Sequence, residues 1–317
     1  MTASNSQHVP VMVDEVLEGL AVRPGGHYVD GTVGLGGHAL AILEAAQPGG
    51  RLLGIDRDPH ALEGAAERLE EFGDAAVLVR GSYADVEAIC EAHGFETADG
   101  LLLDLGVSSL QLGQAGRGFS FRRDEPLDMR MDPDQSLTAE QIVNETDEEE
   151  LADIIYRYGE ERRSRLIAKA IIANRPIETT GALAGVVEQA VGRGRGRPNT
   201  IHPATLTFQA LRIAVNQELK HLEAVLASAH GLLETTGGRL VVISFHSLED
   251  RPVKEYIRDH SDARPRDRWA PDANPPPHWR RITRRVRKAS NEEIARNPRS
   301  RSARLRVAEA IPVAEAA

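Results

Sequence analysis

Four acidic residues, each at or near the end of a short apolar run, carry most of the chemistry in the first third of the chain: Asp30, Asp56, Asp85 and Asp104. Asp30 opens a glycine-crowded stretch, Val29-Asp30-Gly31-Thr32-Val33-Gly34-Leu35-Gly36-Gly37-His38. Glycines there let the backbone take positive φ and approach a ligand closely. The first N–H groups of a following helix favour negative charge. The spacing is not that of the dinucleotide fingerprint G-x-G-x-x-G, because the third glycine directly follows the second. Asp56 comes about 20 residues later, where an acid accepts from two ribose hydroxyls. That position serves NAD and S-adenosylmethionine equally well. Carboxylates at 30 and 104 would attract a sulfonium donor with an ammonium end and repel a pyrophosphate. Each acid, Asp30 and Asp85 above all, could instead cap a following turn.

Two more groups lie near such strand ends. Ser108 and Ser109 follow Asp104 within a few residues, and His246 follows a later apolar run. A serine hydroxyl with backbone carbonyls can orient an amine; the alternative is that the serines cap the next turn. A neutral imidazole can accept or relay a proton. No H-E-x-x-H or comparable metal-ligand spacing occurs.

The elements that must position these groups are legible as alternating strands and helices. Strands are expected at 27–30, 51–56, 75–80 and 99–105. Helices are expected at 10–22, 39–46, from Asp58-Pro59 onward, and at 86–93. Asp58 can cap its helix and Pro59 suits the first helical position. The rhythm implies right-handed βαβ units and a parallel sheet. It stops after residue 105. A long polar segment at 106–134 precedes only helical patterns, one opened by a capping box at Thr146-Asp147-Glu148-Glu149. A fifth strand at 238–245 resumes the sheet. Two late strands at 281–287 and 302–309 form a hairpin at its edge, and 271–277 is a Pro-rich loop. The expected division is one α/β domain in two parts, residues 1–110 and 215–317, interrupted by a helical insertion at 111–214.

The chain has 317 residues, 41% of them hydrophobic, and a net charge of −10. The charge is uneven: residues 258–306 hold 15 Lys/Arg against 6 Asp/Glu. A basic segment on an acidic protein suggests a local surface for a polyanion, or a solvated tail. Cys90 is the only cysteine, which excludes an intramolecular disulfide and a Cys-rich zinc site. No apolar run could span a bilayer and residues 1–9 lack a signal-peptide core, so a cytoplasmic protein without a membrane partner is expected.

Several motifs then occur in order. They are Val29-Asp30-Gly31-Thr32, Gly36-Gly37-His38, Gly54-Ile55-Asp56-Arg57-Asp58-Pro59, Asp104-Leu105-Gly106-Val107-Ser108-Ser109, Arg117-Gly118-Phe119-Ser120-Phe121 and Leu127-Asp128-Met129-Arg130-Met131-Asp132. Tyr158-Gly159-Glu160-Glu161, Phe208-Gln209-Ala210-Leu211-Arg212-Ile213, Ser244-Phe245-His246-Ser247-Leu248-Glu249-Asp250-Arg251 and Asn297-Pro298-Arg299-Ser300-Arg301-Ser302 follow. Together the set resembles the MraW family of small-subunit ribosomal RNA methyltransferases, from residue 8 to residue 309. The resemblance implies a class I S-adenosylmethionine-dependent methyltransferase: an α/β, Rossmann-like, mostly parallel seven-stranded sheet with an all-helical insertion domain. It implies S-adenosyl-L-methionine as donor and S-adenosyl-L-homocysteine as product. The implied acceptor is N4 of a cytidine in the P-site decoding region of 16S rRNA, within the small ribosomal subunit or a late assembly particle.

By position, the resemblance puts donor contacts on Gly36, Gly37, His38, Asp56, Tyr83, Asp104 and Gln111. Catalytic candidates are Asp104, Ser108, Ser109 and His246. Gly113 stands where the family has Asp, and 262–278 matches poorly. A paired N4 amine is blocked, so the base is expected to be splayed out; Phe119, Phe121 or Trp279 could stack on it, core packing being the commoner fate of an aromatic residue. Phosphate contacts are expected from Arg162, Arg163, Arg165, the 193–197 loop and the 280–288 run. A homodimer is left open. Two other classes fit parts of the pattern: an NAD-dependent oxidoreductase on the same fold, and a non-catalytic RNA- or ribosome-binding module. The first lacks the glycine spacing and an evident hydride-transfer pair.

Overall fold

The computed structural model describes residues 9–192, 202–261 and 276–312. The expected basic loop at 193–197 and most of the Pro-rich stretch lie outside them. The chain forms two compact units, Met1–Gly106 with Lys220–Ala317, and Val107–Leu219.

In the first unit, β1 (His27–Asp30), β2 (Arg51–Asp56), β3 (Ala76–Arg80), β4 (Gly100–Asp104), β5 (Arg239–Ser244), β6 (Trp279–Arg281) and β7 (Arg304–Ala310) make one sheet in the order β3-β2-β1-β4-β5-β7-β6. The first five run parallel, β7 is antiparallel to β5, and β6 is antiparallel to β7. Helices α1 (Val13–Leu20), α2 (Gly37–Ala46), α3 (Pro59–Leu69) and α4 (Val86–Ala92) connect its first half. The sheet is Rossmann-like, seven-stranded and mostly parallel, as expected.

Successive side chains on a strand face opposite ways. Val29, Leu53, Leu101 and Leu103 therefore enter one core, while Tyr28, Leu52 and Leu102 enter the other. Both faces are covered, which explains why the strands read as unbroken apolar runs. Asp58 and Pro59 start α3 as anticipated: the Asp58 carboxylate accepts the His60 N–H at 3.2 Å.

The second unit is helical among its described residues. It holds α5 (Ser109–Gly113), α6 (Ala139–Glu145), α7 (Glu148–Gly159), α8 (Ser164–Ala173), α9 (Thr180–Val191) and α10 (Ala204–Asn216). Leu151, Ile155, Ile167, Ile171, Leu183 and Leu211 share its core. Then α11 (Glu218–Leu233), α12 (Ser247–Asp259) and α13 (Asn291–Arg296) complete the chain. No described helix is long and apolar enough to cross a membrane.

Three readings of the sequence need correction. The cap of α7 is Asp147, whose carboxylate accepts the Glu150 N–H at 2.9 Å, not Thr146. Thr146 closes α6, a short helix with its own capping box, Thr138 with Gln141, and too little apolar periodicity to stand out. The first late strand is Trp279–Arg281, ahead of the expected 281–287. Trp279 is fully buried and anchors it, whereas Arg284, Arg285 and Lys288 face solvent. Trp279 therefore packs in the core, its indole N–H reaching the Tyr256 hydroxyl at 3.3 Å, and is not a stacking platform for a base.

Leu103 is fully buried directly before Asp104. Leu103→Ala should cost about 2–5 kcal/mol, read from the urea midpoint; a variant of unchanged midpoint would mean that this layer does not hold the strand end.

Candidate active site

The carboxyl ends of β1, β2 and β4 bring Asp30, Asp56 and Asp104 together, and the turn after β1 is stitched to both neighbouring strands. Gly31 N–H donates to Leu102 O at 2.9 Å, and Val33 N–H to Ile55 O at 3.0 Å. Thr32 links the two central acids. Its N–H donates to Asp30 Oδ1 at 3.0 Å, and its hydroxyl oxygen accepts the Asp104 N–H at 2.7 Å. A side chain on Gly31 would run into Leu103 at 2.7 Å and Tyr83 at 3.1 Å. Gly36, at φ 75°, caps α2 in the left-handed region and sits against the Ala65 backbone. This places His38 in the first turn of α2, almost entirely buried.

The result is a buried polar cluster with unmet capacity. Among the described residues, Asp30 Oδ2, Asp104 Oδ1 and both His38 ring nitrogens lack a hydrogen-bond partner. His38 Nε2 lies 3.5 Å from Asp104 Oδ2. Buried acceptors without donors are costly, so such a set suits a ligand that brings positive charge and several N–H donors. Asp30 is 1% exposed, whereas the Asp104 side chain is 24% exposed. Asp104 is the group a ligand can reach, with Asp30 behind it.

Burial pushes the Asp30 carboxyl up to about 6; His38 and the Thr32 N–H oppose this, while Asp104 and Asp56 add to it. Burial also disfavours charge on His38, but the Asp104 carboxylate, helped by Asp30, outweighs it and holds the imidazole above its ordinary value. Asp56 is likewise raised by burial to about 6, against the N–H groups of Asp58 and Gly34. These N–H groups donate to its two oxygens, each at 2.9 Å. Asp56 thus fixes the glycine turn to β2.

Tyr83 begins a short 3-10 turn after β3 and meets the His221 ring edge-on at 6.3 Å. Asp85 closes that turn facing solvent and does not join the acidic cluster. His246 is the N-cap residue of α12, just past β5, with Nε2 3.0 Å from Glu249 Oε1. The register pairs Asp104 with Ile243, so His246 emerges at the same edge of the sheet.

In the second unit, Ser108 caps α5, its hydroxyl oxygen accepting the Gln111 N–H at 3.2 Å. The Gln111 side chain accepts the Ser108 N–H at 3.0 Å, and Gln111 is buried. Ser109 is the first residue of α5. Phe121 packs edge-on against Phe208 at 4.8 Å. Phe119 and Phe121 are both half-buried against the helical core. Arg162, Arg163 and Arg165 are exposed, and Arg163 meets Glu161 at 3.4 Å. Among the described residues no three His, Cys, Asp or Glu side chains converge to hold a metal ion.

Two partners were not singled out from the sequence. Thr32 follows Asp30 by two residues, the spacing of a side-chain turn. Glu249 follows His246 by three, the spacing that puts both on one side of a helix start.

The buried carboxyls set a pH dependence. Both bind protons in the folded state at values where the unfolded chain has released them. Their contribution to stability is complete below about pH 4 and is lost as pH rises through about 6. Urea midpoints between pH 4 and 7 should fall for the wild type relative to Asp30→Asn; parallel curves would contradict the assignment.

Comparison with known proteins agrees with the ordered motifs. The profile described as the MraW methylase family matches residues 5–311. A Dehalococcoides mccartyi protein named ribosomal RNA small subunit methyltransferase H is 54% identical over 310 residues, covering 96% of this chain and 86% of its own. Proteins of the same name from Cyanothece sp. and Bradyrhizobium diazoefficiens are 50% and 49% identical, covering 97% and 96% of this chain and 96% and 92% of theirs.

Proposed function

Because this chain belongs to the MraW methylase family and has a class I methyltransferase fold, we propose that it transfers a methyl group from S-adenosyl-L-methionine to N4 of a cytidine in the P-site decoding region of 16S rRNA. The observation that carries the donor assignment is the pair of unsatisfied carboxylate oxygens on Asp30 and Asp104 beside His38. A pyrophosphate would be repelled there; an ammonium would be held by Asp104, with the Asp30 carboxylate adding negative charge behind it. When bound, the donor supplies an electrophilic methyl on a cationic sulfonium.

The chain's own residues then bind and orient. Asp104, backed by Asp30, holds the ammonium end of the donor. Gly36, Gly37 and His38 line the turn, Asp56 accepts from the ribose, and Tyr83 and Gln111 complete the donor contacts. A cytosine N4 amine is a poor nucleophile, since its lone pair is delocalised into the ring. Holding it in line with the methyl–sulfur bond supplies much of the rate, about 7–11 kcal/mol in favourable cases. Asp104 and the hydroxyls of Ser108 and Ser109 orient that amine, and His246, steadied by Glu249, accepts the proton it loses. Phe119 or Phe121 stacks on the base, and exposed arginines such as Arg162 and Arg165 meet phosphates.

The named relatives supply the substrate class in this reading, and the small ribosomal subunit or a late assembly particle is its physical form. S-adenosyl-L-homocysteine should raise the melting temperature while NAD leaves it unchanged. Tritium from labelled donor should pass to small subunits and map to one cytidine; label elsewhere, or none, would overturn the assignment.

Ser109→Ala should slow turnover without changing donor affinity. Ser108→Ala also loses a helix cap, costing about 1 kcal/mol, so its rate is compared at matched folded fraction. Near-normal rates for both would remove the serines from the mechanism. His246→Gln should slow turnover without changing donor affinity; a near-normal rate would dismiss its role.

A further inference from the structure

We infer that the turn following α13 is a rail for the phosphate backbone of single-stranded RNA, set at the rim of the donor crevice. The inference rests on the methyltransferase reading for the identity of the RNA, and on the following geometry for its position.

Asn297 caps a 3-10 turn, Pro298–Ser302, by accepting the Arg299 N–H at 3.3 Å. Ser300 is fully buried, and its hydroxyl donates to Asn297 O at 2.7 Å. With Ser300 pinned inward, Arg299 and Arg301 on either side face solvent, as does Arg296 at the end of α13. None of these three guanidinium groups has an acidic partner among the described residues. That contrasts with the neighbouring basic run, where Arg280 pairs with Glu309 and Arg287 with Glu18. Arg304 and Arg306 both meet Asp250. Those cations serve the fold, whereas the three on the turn are left for something outside it. The acid on the same exposed face is Glu292, one helical turn before Arg296; Glu293 instead accepts the Met12 N–H at 2.6 Å.

The turn is held close to the crevice by the segment before α1. Asn297 Nδ2 donates to Val9 O at 3.0 Å. A side chain on Gly37 would meet Pro10 at 3.2 Å, so the same segment also lies against the glycine turn. Glu293 is near enough to His38 to favour its charged form. One layer of chain therefore separates three unpaired arginines from the buried acids. An acidic crevice repels the phosphates of the strand whose base it must receive. A cationic rim one layer away offsets that repulsion and sets where the backbone runs.

The test is the salt dependence of binding to a single-stranded RNA oligonucleotide. For single strands each phosphate contact contributes about 0.7 to the slope of log affinity against log salt. The triple variant Arg296→Gln, Arg299→Gln, Arg301→Gln should lower that slope by about 2. The corresponding triple Arg→Lys variant should keep it. S-adenosyl-L-homocysteine affinity and melting temperature should match the wild type in both. A Gln triple with the wild-type slope overturns the rail, as would a Lys triple that loses it as fully as the Gln triple does. Equal loss of binding to anionic phospholipid vesicles, with RNA binding intact, would assign the surface to a membrane and also overturn it. If the slopes behave as expected but the wild type transfers no methyl group to small-subunit RNA, the rail stands and the proposed function falls.

Discussion

The arrangement depends on holding the buried Asp30 carboxylate close to the partly exposed Asp104 carboxylate where parallel strands end. Burial raises the cost of charging Asp30, and the neighbouring Asp104 carboxylate adds to it. The fold tolerates this because Thr32 ties both chain ends with one side chain, and because His38 stands beside them. It does not neutralise them fully: among the described residues, two carboxylate oxygens stay without donors. A site of this kind suits an occupant that brings N–H donors and positive charge, whereas an anion would leave the same oxygens without donors.

Much of the rest of the first unit serves to hold that cluster in place. Apolar layers on both sheet faces fix the strand ends, and the positive φ at Gly36 allows α2 to begin where His38 must enter the cluster. Asp56 pins the glycine turn through Gly34 and the start of α3 through the Asp58 N–H. Charge is sorted spatially as well. Acids gather at the strand ends, whereas arginines near the C-terminus divide into those paired with Glu18, Glu309 and Asp250 and those left facing water.

Legibility in the sequence follows the range of the interaction involved. The strands were readable because burial on both faces leaves continuous apolar runs. The α3 start was readable because capping is settled within four residues. The short helices α5 and α6 were not, since five or seven residues carry too little periodicity. Helix α12 was hidden by its polar composition and by Pro252, and survives because Val253 and Ile257 are buried against the sheet. Trp279 was left open between two roles for a related reason: an aromatic residue beside arginines looks the same whether it stacks on a base or fills a core.

By itself the sequence determined the alternation of strand and helix, the glycine turn, the acids at strand ends and the family, because each rests on local spacing or on the order of motifs. Only the tertiary structure decided that Asp30, Asp104 and His38 share one buried site while Asp85 faces water, and which arginines are already paired. Those outcomes depend on distances between residues dozens to hundreds of positions apart, which strand register and side-chain packing set and no local pattern records.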